Sequence, residues 1–82
     1  MKPLASINVP PWTGEPRECG EVWTLHKGKR VASCHLWTHP LGGEARLEVD
    51  GLRCRGETHA QGLALIDAAL AWKAQFQAKG WT

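Results

Sequence analysis

The sequence predicts an α+β fold: an antiparallel β-meander of three or four strands with one C-terminal amphipathic helix packed on one face. Three observations carry this expectation. Apolar and polar residues alternate in short runs between Glu21 and Arg55. Gly28-Lys29 and Asp50-Gly51 have hairpin-turn chemistry, and Pro40-Leu41-Gly42-Gly43 breaks the chain between them. From Thr58 to Lys79 there is no Pro, and the apolar residues recur with a helical period.

Residues 1–20 read as an extended, Pro-rich N-terminal arm, with Pro3, Pro10, Pro11 and Pro16 and no period. The arm either packs on the domain through Ile7, Val9 and Trp12 or runs as a free tail. Residues 21–82 form the single domain. Its first strand covers about Glu21–Lys27. Gly28-Lys29 suits a type II′ turn, which sets Lys27 against Arg30, Leu25 against Ala32 and Trp23 against Cys34. A slip by one residue would expose Trp23 and Leu25.

A four-residue loop at Pro40–Gly43 then pairs Trp37 with Arg46, Leu36 with Leu47 and His35 with Glu48. Asp50-Gly51 is a type I′ signal that pairs Val49 with Leu52, Glu48 with Arg53 and Leu47 with Cys54. The fourth strand is short, from Leu52 to Arg55 or Gly56. Trp23, Leu25, Ala32, Cys34, Leu36, Leu47, Val49, Leu52 and Cys54 make the core face. Thr58 and Gln61 fit a capping box that opens the helix, and Gly80 ends it. Leu65, Ala69, Trp72 and Phe76 form one apolar stripe, and Leu63, Ile66 and Leu70 an adjacent one. Together they are wider than one sheet contact needs, and the surplus is expected to meet the N-terminal arm, Trp81 or a second subunit.

Eighty-two residues support one domain with a small core, to which five Trp contribute. Net charge is +2 and spread evenly, with no basic block, which argues against strong nonspecific nucleic-acid binding. The first residues hold no long apolar run, so neither a signal peptide nor a membrane span is expected. Three Cys is an odd number, which disfavours a closed disulfide framework and suits a cytoplasmic setting.

The same cysteines, with four His, lack the spacings of a zinc site. His35 and His39, four apart on a strand, stand about 13 Å from each other. Cys34 and Cys54 read as small core residues, and Cys19 as an incidental thiol in a loop. There is no Ser-His-acid arrangement, nucleophile elbow or phosphate-cradling loop. The His35–Glu48 pair lacks a cleft in which to act, so neither an enzyme nor a cofactor is expected.

The open sheet face remains. The register lays it out in three rows: Val22–His35–Glu48–Arg53, Trp37–Arg46–Arg55 and His39–Glu44–Glu57. Trp37 and Arg46 are the residue types enriched at interface hot spots, and His35, Arg53 and Arg55 surround them. The expected function is a small non-enzymatic binding module whose partner is another protein or a second copy. The alternative is a nucleic-acid-binding module using the same face, with Trp37 stacking a base and the arginines meeting phosphates.

The order of elements over residues 21–79 resembles that of the GCC-box-binding domains of plant transcription factors and the arm-binding domains of some tyrosine recombinases. That resemblance implies a sheet that reads DNA. It includes no shared motif, and the basic residues those domains carry along their strands are largely lacking here.

Overall fold

The computed structural model describes residues 12–82. Five elements follow one another: β1 (Glu18–Lys27), β2 (Arg30–His39), β3 (Gly42–Val49), β4 (Leu52–His59) and α1 (Gly62–Ala78). The strands lie in the order β1-β2-β3-β4, each antiparallel to the next. This is the predicted meander, with four strands and the helix across one face. Of the expected arm anchors, Trp12 is exposed, while Ile7 and Val9 lie outside the described residues.

Both hairpin turns form as their chemistry demands. Gly28 has φ 61° and opens the first turn, leaving Lys27 opposite Arg30, Leu25 opposite Ala32 and Trp23 opposite Cys34. Asp50 and Gly51 have φ 53° and 82°, the double positive φ of a type I′ turn. Asp50 tolerates it because the turn is bonded on both sides. Its N–H donates to the Val31 carbonyl at 2.8 Å, and its Oδ1 accepts from the Val31 N–H at 3.0 Å. That backbone bond, then Arg30, holds the Asp50 carboxyl below its ordinary range.

The middle turn departs from expectation. It is two residues, Pro40-Leu41, so His39 faces Gly42 and β3 is shifted two places along β2. Leu36 therefore meets Ala45, Cys34 meets Leu47 and Ala32 meets Val49. A two-residue shift keeps every side chain on its face, so hydrophobic alternation cannot distinguish the two registers. Gly42 belongs in the strand because β4 passes close by. A Cβ there would stand 2.6 Å from the His59 carbonyl oxygen and 2.7 Å from Ala60 Cα.

Three irregularities break the ladders. Cys19 and Val22 are extra residues in β1, and both pack against the core, so Cys19 is a strand residue and not a loop thiol. Cys54 is the extra residue in β4: Glu48 faces Arg53, but Leu47 faces Arg55. Cys54 is consequently exposed; Leu52, opposite Val49 on the helix side, is exposed as well, so neither joins the predicted core. β4 also continues to His59, placing Thr58 opposite Glu44, so the expected Thr58–Gln61 capping box does not form. Gln61 takes the N-cap position without a side-chain bond.

The core joins Trp23, Leu25, Ala32, Cys34, Leu36, Ala45 and Leu47 of the sheet to Leu65, Ile66, Ala69 and Trp72 of α1. Trp23 Nε1 donates to the Ala69 carbonyl at 2.7 Å, so its indole N–H is satisfied inside the core. Of the second helical stripe only Ile66 is buried; Leu63 and Leu70 remain exposed. Gly80, with φ 93°, ends the helix in a Schellman turn. Its N–H donates to the Gln77 carbonyl, and the Trp81 N–H donates to that of Phe76. Trp81 is thereby folded back into the core, edge-on to Phe76 with ring centroids 5.1 Å apart. Thr82 then pairs with His26 through two backbone hydrogen bonds of 2.7 and 2.9 Å.

Candidate functional site

The sheet face away from α1 is set by alternation from the core residues of each strand. Glu18 and Glu21 of β1 stand there, as do Ser33, His35, Trp37 and His39 of β2, Glu44, Arg46 and Glu48 of β3, and Arg53 and Thr58 of β4. Four of the five predicted site residues are brought together: Trp37, Arg46, His35 and Arg53. The fifth is not. The extra residue Cys54 lets Arg53 and Arg55 take successive ladder positions, so Arg55 turns to the helix side. Its guanidinium lies 5.4 Å from the Trp72 ring. Glu57 also leaves the open face, sitting opposite Ala45 and bonding His59 at 2.7 Å.

The predicted rows change accordingly. Trp37 faces Glu44, and Arg46 reaches it diagonally, with its guanidinium 4.3 Å from the indole centroid. His35 faces Arg46 and Glu21 in place of Glu48 and Val22, and His39 faces Gly42 in place of Glu44. The two-place shift converts expected directly opposed pairs into diagonal ones, which long side chains still span.

Glu44 is the hub of the face. It is only 7 % exposed. One carboxylate oxygen accepts from Arg46 Nε at 2.5 Å and the other from Arg53 Nη2 at 2.7 Å. Such charge-assisted bonds fix direction and offset the cost of burying the charge. Both oxygens are thus engaged by guanidinium groups. Gly56 makes room for this arrangement, since a Cβ there would lie 2.5 Å from Arg53 Nη2 and 2.9 Å from Glu44 Oε2. Sequence reasoning missed both Glu44 and Gly56. A two-residue turn at Pro40-Leu41 would have placed Glu44 beside Trp37, whereas the β4 bulge has no sequence signal of its own.

Beside this network, the His35 ring is wedged between acids. Its Nδ1 is buried against the Glu18 carboxylate without a well-aligned hydrogen bond. Its Nε2 stands 3.1 Å from Ser33 Oγ and 3.9 Å from Glu48 Oε2. Neither thiol that packs on the core is poised for attack: burial pushes Cys34 up to about 12, and burial followed by the Glu18 charge raises Cys19. Among the described residues, no cluster of three or more His, Cys, Asp or Glu is placed to hold a metal ion, and no helix is long and apolar enough to cross a membrane.

The face thus presents a stacked Trp–Arg platform, held from below by a buried carboxylate and rimmed by Glu18, Glu21 and Glu48. No family model, no curated protein and no solved structure matches this chain.

Proposed function

We propose that this chain is a non-enzymatic protein-binding module whose contact surface is the open sheet face, centred on Trp37 and Arg46 with His35 and Arg53 beside them. The observation that carries the reading is the pinned platform. Arg46 lies over Trp37 while Glu44 holds its other side. Both are residue types that dominate binding energy at interfaces, and a platform already locked in place loses little entropy on docking. The charge balance favours a protein over nucleic acid. Glu18, Glu21, Glu44 and Glu48 share the face with only Arg46 and Arg53, and Glu44 already engages both arginines. Phosphates would meet a net negative surface. Three free thiols favour a cytoplasmic setting for the module.

A photoreactive residue at His39, on the open face, tests this against the same residue at Ala71, on the solvent side of α1. Irradiated in source cells, the His39 position should give an adduct with another protein and the Ala71 position none. Trp37→Ala should weaken the recovered complex by about 30-fold, the size of a hot-spot loss. No adduct, or one indifferent to Trp37→Ala, overturns the reading. Salt-sensitive binding of DNA or RNA that Arg46→Ala abolishes would replace it with the nucleic-acid alternative.

A further inference from the structure

The two edges of the sheet are finished differently. On β1, Thr82 pairs with His26, and Lys27 Nζ donates to the Lys79 carbonyl at 2.8 Å. On β4, no described residue pairs with the outer side. The strand, Leu-Arg-Cys-Arg-Gly-Glu-Thr-His, contains neither Pro nor Lys; its guards are the bulge at Cys54 and the charges of Arg53, Arg55 and Glu57, and Leu52 through Gly56 are exposed. Leu52 keeps 73 % of its surface in solvent.

We infer that β4 pairs antiparallel with β4 of a second copy about a two-fold axis at Gly56, joining two four-stranded sheets into one. Symmetry and charge select that register. In an isologous contact residue i meets j and j meets i. Opposed residues of antiparallel strands point to the same side, so the axis must fall on a residue. Past the bulge, the strand runs without irregularity from Arg55 to His59. An axis on Arg55 or on Glu57 sets like charges against each other. An axis on Thr58 sets Glu57 against the second copy's His59, but Glu57 already bonds His59 of its own chain at 2.7 Å, and Arg55 is left with no strand residue opposite it. An axis on Gly56 sets Arg55 against the second copy's Glu57, and Glu57 against its Arg55, on the helix side of both sheets, where these residues lie opposite Leu47 and Ala45. The two ion pairs form in one step, and a residue without a side chain occupies the axis.

The association is separate from partner binding at Trp37, since neither Arg55 nor Glu57 stands on the open face. Sedimentation equilibrium from low to high micromolar protomer is the test. The wild-type chain should approach twice 9.0 kDa. Arg55→Glu and Glu57→Arg should each weaken association at least about tenfold, because like charges then oppose each other twice. The double exchange should restore it, with folding of each variant checked by circular dichroism. Glu57→Arg leaves the Arg55–Trp72 stacking in place and is the control for a variant that fails to fold. A wild-type chain that stays monomeric throughout overturns the inference. So does a dimer that ignores the single exchanges, or one that the double exchange does not restore.

Discussion

A buried carboxylate held by two guanidinium groups makes Glu44 the residue whose loss the open face should feel most. Glu44→Gln keeps the shape and removes the charge, leaving Arg46 and Arg53 to compete for a neutral amide. The expected loss is about 1–2 kcal/mol by chemical denaturation, tempered by the solvent that still reaches Arg53. Gly56→Ala acts on the same network from beneath. The new methyl meets the flexible end of Arg53 at 2.5 Å and the buried Glu44 carboxylate at 2.9 Å, so Arg53 swings away, Glu44 shifts, and the cost is about 1–2 kcal/mol. A double-mutant cycle should then find Gly56→Ala and Arg53→Ala clearly less than additive, and simple additivity would show that the two do not share this contact. Cys34 gives a pH signature. It is fully buried between Trp23 and Leu47, and its thiol is pushed from 9.0 up to about 12. The folded state therefore holds its proton more tightly than the unfolded state. Its contribution is complete below pH 9.0 and is lost as pH rises toward about 12. Melting temperature should fall across that window in the wild-type chain and fall less in Cys34→Ala.

At the level of elements, the strands were legible where turn chemistry was unambiguous. Gly28 and Asp50-Gly51 could hardly be read otherwise, and the pairs they set next to the turns are the pairs found. Pro40–Gly43 allowed two turn lengths of the same parity, and only the close approach of His59 and Ala60 to Gly42 separates them. Gly42→Ala should accordingly be severe, at least about 3 kcal/mol, because the added methyl meets backbone and the φ of 129° strains any L side chain. This contrast with the mild Gly56→Ala is checkable by denaturation of the two variants side by side. The β4 bulge was not legible, since Leu-Arg-Cys-Arg continues an alternating pattern whether or not Cys54 is paired. The capping box was misread because Thr58 suits a strand as readily as an N-cap, and pairing with Glu44 prevails. Trp81 is one of three expected covers for the surplus of the helix but not a core residue of the sequence pattern, because a residue beyond the stop at Gly80 belongs to no period; the Schellman turn returns it to the core. Trp81→Ala should cost about 3 kcal/mol by the scale of buried Trp losses.

For the whole molecule, one small core carries the stability, so a loss of that size is a large fraction of what holds the chain together. The candidate site was legible in its centre and not at its rim. Trp37, Arg46, His35 and Arg53 share a face because strand alternation survives a two-place shift. Arg55 leaves because one unpaired residue reverses the phase of the strand beyond it. The net effect is electrostatic. An expected mixed face with three arginines becomes an acidic one with two.

The pair of backbone bonds between Thr82 and His26 has a further consequence for valence. On the proposed β4 pairing, these bonds close the end of β1 next to the first turn to a further strand. Their loss would lengthen the stretch of β1 open to strand addition, at the edge opposite β4.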